Sequence, residues 1–156
     1  MKSIKIISAL DKARKICSQQ EQCSHDIRLK LIRWGIGSDD SEKIISLLMD
    51  EKFIDDVRYC GFFVMDKFRL NKWGRKKIEY ALRGKNIPTS TIASALELID
   101  MTEYMDVLRN AIKGKRKGLK AQNQFELKGK LFRFAQSRGF ETDLIYNVLE
   151  ESLRDP

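Results

Sequence analysis

Proline is almost absent from this chain: Pro88 and Pro156 are the only two among 156 residues. Because proline is the strongest breaker of helices, its scarcity leaves most of the chain free to be helical. The strict alternation of apolar and polar residues that is typical of strands is also missing, whereas apolar residues recur at intervals of three and four. The sequence therefore predicts an all-α protein.

Long apolar runs are missing as well. No segment approaches the roughly 20 apolar residues of a membrane-spanning helix. The segment from Met1 to Leu10 has too short an apolar run and no small-residue cleavage site, so we predict no secretory signal. The three cysteines are odd in number and irregular in spacing, which favours free thiols in a reducing compartment. We expect a cytoplasmic protein with no membrane partner.

The residue patterns of catalytic and metal sites are scarce. Cys17, Cys23 and His25, the only histidine, lack a fourth ligand and the close cysteine spacing of zinc sites, so we predict no metal. Asp55 and Asp56 have no third carboxylate beside them, and Asp55 is better explained as a helix N-cap. A glycine-rich phosphate loop and a nucleophile–base pair are both absent. We predict neither catalytic activity nor a cofactor.

Acidic residues are scarce in two segments of a chain with a net charge of +8. Residues 66–85 contain eight basic and two acidic residues, and residues 109–138 contain ten basic residues and one acidic residue. Segregated positive charge indicates a directional surface for an anionic partner. The candidate contact residues on this electrostatic surface are Lys72, Arg75, Lys76, Lys77, Arg83, Lys85, Lys113, Lys115, Arg116, Lys117, Lys120, Lys128, Lys130, Arg133 and Arg138.

Less specific interpretations of these residues remain open. The basic residues of 72–85 also fit a solvated helix face, and those of 113–120, with Gly114 and Gly118 between them, also fit a flexible linker. Aromatic residues near both segments could stack on nucleobases, but their helical spacing favours core packing. These aromatic residues are Phe62, Phe63, Phe68, Trp73, Phe125, Phe132 and Phe134, and the two tryptophans, Trp34 and Trp73, are the best candidates for exceptions.

A pattern of apolar residues that ends in a turn residue occurs three times. It begins at Ile27, Ile78 and Leu131, with offsets of 51 and 53 residues. The turn residues are glycine or asparagine, which tolerate a left-handed conformation, so each copy predicts a helix with a Schellman-type end. An apolar-periodic helix precedes each copy and another follows it. The predicted turn residues are Gly35, Asn86 and Gly139, and the predicted N-terminal caps are Asp55, Asp39 with Glu42, and Asp100 with Glu103.

The three copies define the predicted organisation of the chain. A unit of three short helices buries its apolar face poorly on its own, so neighbouring units should stack. We predict three tandem three-helix repeats, stacked into an elongated, curved array, with boundaries at 1–52, 53–100 and 101–156.

The second repeat carries a family resemblance. The run from Phe53 to Tyr59 contains Ile-Asp-Asp-x-Arg-Tyr, and the run from Trp73 to Ile87 contains Gly-Arg-x-Lys-Ile-x3-Leu-Arg-x-Lys-x-Ile. Both runs resemble the RecX family of bacterial recombination regulators, whose members also consist of three three-helix repeats. Asn86 stands where the family usually has glycine, and asparagine tolerates the same left-handed turn.

The resemblance implies a regulator that binds RecA recombinase filaments on DNA and mainly inhibits ATP hydrolysis and strand exchange, in DNA repair and recombination. It also implies DNA contacts, to single or double strands, which we expect to be weak and sensitive to salt. We expect a monomer. The alternatives are a helical repeat protein that binds DNA without a recombinase partner and a structural scaffold, which leaves the charge segregation unexplained.

Overall fold

Nine helices and no strand make up residues 3–154, the part of the chain that the computed structural model describes. The main helix–helix contacts fall within three groups of three helices, called units 1, 2 and 3 below. The predicted all-α class and three-helix organisation are confirmed. None of the described helices is long and apolar enough to cross a membrane. The helices are α1 (Ile4–Gln19), α2 (Ser24–Arg33) and α3 (Ser38–Asp50) in unit 1, α4 (Asp56–Arg69), α5 (Arg75–Arg83) and α6 (Thr89–Leu96) in unit 2, and α7 (Met101–Lys117), α8 (Gln124–Ser137) and α9 (Thr142–Arg154) in unit 3.

The predicted boundaries at 1–52, 53–100 and 101–156 stay a prediction, and their outer limits at residues 1 and 156 lie outside the described range. The molecule exposes 9853 Å² of surface. A compact monomer of the same mass, 18.2 kDa, exposes about 8,100 Å². The additional surface agrees with an elongated stack of units.

Local chemistry sets several helix ends. The carboxylate of Asp55 accepts a hydrogen bond from the N–H of Arg58, and Asp100 accepts one in the same way at the start of α7, as predicted. The predicted cap by Asp39 with Glu42 is wrong, because α3 begins at Ser38 after Gly37 and Glu42 instead binds a guanidinium of α2.

The three predicted left-handed turn residues are confirmed. Gly35, Asn86 and Gly139 have φ angles of +82°, +58° and +95°. Lys72, with φ +59°, ends α4 in the same conformation although its residue type does not predict it. A left-handed conformation costs a lysine roughly 1–2 kcal/mol that glycine avoids. Lys72, one of the predicted contact residues, therefore occupies its position at a cost in backbone conformational energy.

The cores divide the molecule unequally. Unit 1 has its own core, with Ile27, Leu31 and Leu48 fully buried. Units 2 and 3 share one continuous core, in which Phe68 and Tyr104 are fully buried and their ring centroids lie 5.7 Å apart. Because apolar burial is the main stabilising contribution, units 2 and 3 form one body to which unit 1 is attached.

Polar contacts join unit 1 to unit 2. The carboxylate of Asp56 accepts hydrogen bonds from the N–H and the hydroxyl of Ser24, at 2.8 and 2.6 Å. The guanidinium of Arg58 donates to Glu21 at 2.8 Å. Cys23, which is fully buried, is the residue of unit 1 that reaches into the shared core of units 2 and 3.

Backbone hydrogen bonds join unit 2 to unit 3. The N–H of Gly74 donates to the carbonyl of Arg138 at 2.7 Å, and the N–H of Lys76 donates to the carbonyl of Gly139 at 2.9 Å. The N-terminus of α5 therefore has its free N–H groups satisfied by the free carbonyls after α8, an arrangement that also pairs the opposite ends of two helix dipoles. A side chain on Gly74 would overlap the backbone of Gly139.

The two buried thiols make stability depend on pH. Burial raises the pKa of Cys23 and of Cys60 from 9.0 to about 11. Because the folded state holds these protons more tightly than the unfolded chain, the stabilisation is complete below pH 9.0 and is lost as pH rises toward about 11. We expect the free energy of unfolding in urea to fall across this interval. The double variant Cys23→Ala/Cys60→Ala should show a shallower fall, and equal slopes would contradict the assignment to the thiols.

Candidate partner-binding surface

Helix α5 presents basic side chains on the face opposite its buried residues. Ile78 and Leu82 are fully buried, so Lys76 is directed to solvent. Lys72, just before the helix, is also exposed. Tyr80 lies on the same helix and is 81% exposed. An exposed ring among lysines is suited to contact with phosphate and base together, and Tyr80 is not among the aromatic candidates that the sequence predicts.

Two further basic residues of α5 are partly engaged within unit 2. Arg83 forms an ion pair with Glu79, 2.6 Å apart, and stays largely exposed, so this surface pair stabilises the helix little. The ammonium of Lys77 lies 4.6 Å from the ring centroid of Trp73. Both side chains remain within reach of a partner.

Arg75 belongs to a network that joins units 2 and 3. Its guanidinium forms an ion pair with the carboxylate of Glu141, with Nε at 2.6 Å from Oε2, and lies over the ring of Tyr104. The hydroxyl of Tyr104 donates to the same carboxylate and accepts from the N–H of Arg75. Burial and the hydrogen bond to Glu141 both raise the pKa of Tyr104. The contacts of Arg75 therefore support the junction between the units.

Lys85 is likewise held by a contact between units. Its ammonium lies 2.7 Å from the carboxylate of Asp26 in unit 1. Burial lowers the pKa of Lys85, but the hydrogen bond to Asp26 and nearby negative charge outweigh this and raise it overall. Asn86 contacts His25 beside this pair, at 3.1 Å.

The end of α7 carries the second group of cations. The helix continues through Gly114 to Lys117, so residues 113–117 are helical and the flexible-linker interpretation is wrong for them. Lys113 and Lys117 are exposed. Arg116 donates a hydrogen bond to the carbonyl of Ser152, at 2.9 Å, which attaches the end of α7 to α9.

The structure brings α7 and α8 together around Phe134. The ammonium of Lys115 lies 5.2 Å from the centroid of this ring and the guanidinium of Arg138 lies 5.1 Å from it. Contacts of this kind stabilise by about 0.5–1 kcal/mol at exposed sites and hold the charges at defined positions.

The remaining cations lie along the loop before α8 and on α8 itself. Lys130 pairs with Glu126 at 2.9 Å and donates to the carbonyl of Lys120 at the same distance. Lys128 and Arg133 lie on α8, and no carboxylate within residues 3–154 pairs with either. Because α5 begins at the end of α8 and units 2 and 3 share a core, the cations of both basic segments lie on the same part of the molecule. Their role in partner contact stays a prediction.

The aromatic residues divide between core and surface. Phe68 is fully buried, and Phe63 and Phe132 are partly covered and pack against the core, which agrees with the core packing that their spacing predicts. Phe134 is half-buried, but it is covered by Lys115 and Arg138 and is not packed against the core. The prediction of core packing is wrong for Phe62 and Phe125, because these residues are 55% and 89% exposed. Trp34 and Trp73 are half-buried, and each has a lysine ammonium over its ring.

No group of three or more histidine, cysteine or carboxylate side chains suited to a metal ion occurs within residues 3–154. The three cysteines are free thiols, with Cys17 partly covered.

Comparison with known proteins identifies the family. A family model described as "RecX, second three-helix domain" matches residues 55–96, and one described as "RecX, third three-helix domain" matches residues 102–149. A relative from Prosthecochloris aestuarii, named "Regulatory protein RecX", is 30% identical over 145 residues, which cover 93% of each chain. The chain belongs to the RecX family. The resemblance, which is most specific in residues 53–87 and extends over the whole chain, is thereby confirmed.

Other RecX proteins agree in sequence and fold. A "Regulatory protein RecX" from Clostridium tetani is 28% identical and aligns with 97% of this chain and 74% of its own. The crystal structure of RecX from Lactobacillus salivarius has a TM-score of 0.81 at 21% identity, covering 94% of this chain and 96% of that one. A second crystal structure, of regulatory protein RecX, has a TM-score of 0.85 at 20% identity, covering 94% and 72%. These structures share the fold, and the relatives are named as regulatory proteins.

The matched RecX domains contain all fifteen candidate cations. The second domain includes all of α5, and the third spans α7 and α8 together with most of α9. The candidate surface thus lies on the part of the molecule that the family models describe.

Proposed function

We propose that this chain binds RecA recombinase filaments assembled on DNA and regulates them, mainly by inhibiting ATP hydrolysis and strand exchange. Membership of the RecX family supports a regulatory role. A recombinase filament combines nucleic acid phosphates with protein surface, so a basic and elongated partner is electrostatically suited to it.

The observation that carries this proposal is the joining of two basic segments on one body. Units 2 and 3 share a core, and α5 begins on the end of α8 through the hydrogen bonds of Gly74 and Lys76. The cations of α5 and of α7–α8 therefore lie on one body, and a repeating surface such as a filament can be bound at several points at once.

The test compares recombinase-coated single strands with the same oligonucleotide free in solution. We expect tighter binding to the coated strand, and ATP hydrolysis by the recombinase should fall as the protein is added. Equal affinity for both substrates, with ATP hydrolysis unchanged, would favour the alternative of a protein that binds DNA directly. Heat-unfolded protein at the same concentration controls for nonspecific effects of a basic polypeptide.

A further inference from the structure

An open groove of about 640 Å³ lies along α8 and α9 in unit 3. Its apolar lining consists of three aromatic rings, those of Phe125, Phe132 and Tyr146, and no aliphatic side chain among the described residues lines it. Phe125 is 89% exposed and Tyr146 is 46% exposed. Exposed rings of this size are unfavourable in water, so the groove presents apolar surface that a ligand could cover.

The rings are arranged to receive a flat group. Phe132 and Tyr146 stack on each other, with centroids 4.9 Å apart and planes inclined by 26°. Phe132 is packed against the shared core, which anchors the pair, while Phe125 at the start of α8 stays open to solvent. Aromatic rings bind other planar π systems by offset stacking. A groove that binds an amphipathic helix instead accommodates a row of apolar side chains at helical spacing.

A glycine keeps the groove open. Gly129 lies in the interior of α8 and lines the groove, at a position where glycine destabilises a helix relative to alanine. A Cβ atom placed there would lie 3.3 Å from the guanidinium of Arg133, the mobile end of a long side chain. The helix would therefore accept a larger residue, and the space is a property of this sequence rather than a requirement of the fold.

Positive charge surrounds the rings. The ammonium of Lys128 lies 5.9 Å from the centroid of Tyr146, and Arg133 lines the same groove. Glu126, the carboxylate in the lining, is paired with Lys130 at 2.9 Å. A ligand entering the groove thus meets uncompensated cations beside aromatic faces.

We propose that this groove binds unpaired bases of a single-stranded nucleic acid. The bases stack on Phe125 and on the Phe132–Tyr146 pair, and the phosphates contact Lys128 and Arg133. This combination of stacking platforms and backbone cations is the general means of binding single strands without sequence readout. Bases within a duplex already stack on each other, so the groove selects single strands. This inference rests on the proposed function, in which the single strand is the DNA of the recombinase filament.

The test measures binding of the full chain to three labelled oligonucleotides of equal length by fluorescence anisotropy. These are an oligothymidine, an abasic strand with the same phosphates and a duplex. We expect the oligothymidine to bind more tightly than the abasic strand, and Phe125→Ala to weaken its binding about 10-fold while leaving the abasic strand unaffected. Val57→Ala, which truncates an exposed apolar side chain on α4, is the control and should bind as the original protein does.

A second variant separates loss of the site from loss of the fold. Gly129→Leu fills the groove at a helical position, so it should weaken oligothymidine binding without lowering the melting temperature. The proposal is overturned if normal and abasic strands bind equally, or if Phe125→Ala binds oligothymidine normally. If Phe125→Ala weakens binding to the filament but not to oligothymidine, the groove binds a protein partner and the proposal is also overturned. Inhibition of recombinase ATP hydrolysis is measured separately, so failure of the proposed function is distinguishable.

Discussion

Gly139→Ala should lower the free energy of unfolding by about 3 kcal/mol. Gly139 has a φ of +95°, and a left-handed conformation costs alanine roughly 1–2 kcal/mol. The new Cβ atom would also lie 2.6 Å from the backbone nitrogen of Lys77. Relieving that overlap requires α5 to move from the end of α8, and overpacking of this kind costs about 1–3 kcal/mol. Urea unfolding followed by circular dichroism measures the change.

Gly35→Ala is the matched control for this prediction. Gly35 has a similar φ of +82°, but its added Cβ atom would meet only the mobile end of the Lys5 side chain. We expect a loss of about 1 kcal/mol, confined to the conformational cost. Trp34 in unit 1 and Trp73 beside the junction allow each unit to be followed by fluorescence. Equal losses for the two glycines would show that the junction tolerates a side chain and contradict the prediction.

Reversing three charges at the end of α7 and in the loop after it should weaken filament binding on the order of 100-fold. Lys113, Lys117 and Lys120 are exposed, so Lys113→Glu/Lys117→Glu/Lys120→Glu changes charge without removing a buried contact. For a single strand, each phosphate contact contributes about 0.7 to the slope of log affinity against log salt concentration. Losing three contacts should therefore reduce the magnitude of this slope by about 2. Titrations at several salt concentrations measure both quantities. Lys115 and Arg116 are left in place because they contact Phe134 and Ser152.

A triple variant in unit 1 separates local charge from total charge. Lys15→Glu/Lys43→Glu/Lys52→Glu alters three exposed lysines outside both basic segments and changes the net charge equally. If the basic surface of units 2 and 3 makes the contact, this variant should bind within a few-fold of the original protein, because distant charges are screened by salt. Equal weakening by the two triple variants would mean that total charge, rather than this surface, drives binding.

The two lysines that end helices at positive φ illustrate the limits of sequence reasoning. Gly35, Asn86 and Gly139 could be predicted because glycine and asparagine tolerate the left-handed conformation. Lys52 and Lys72 adopt it as well, with φ angles of +65° and +59°. Nothing in a lysine side chain favours this conformation, so the packing of the flanking helices imposes it.

The candidate surface shows the same limit. Charge counting placed Arg75 and Lys85 beside Lys76 as equivalent cations. The structure pairs Arg75 with Glu141, 66 residues away, and Lys85 with Asp26, 59 residues away. Pairs that distant in sequence carry no local signal.

The sequence by itself determined the helical class, the threefold repetition, the family and the segregation of positive charge. The helical class, the repetition and the charge segregation follow from local periodicity, turn chemistry and composition, which are properties of neighbouring residues. The family follows from the resemblance of the motifs in residues 53–87. Only the tertiary structure decided that units 2 and 3 share a core while unit 1 has its own. It also decided that Phe68 is buried and Phe125 exposed, because burial of two residues of the same type depends on which helices meet.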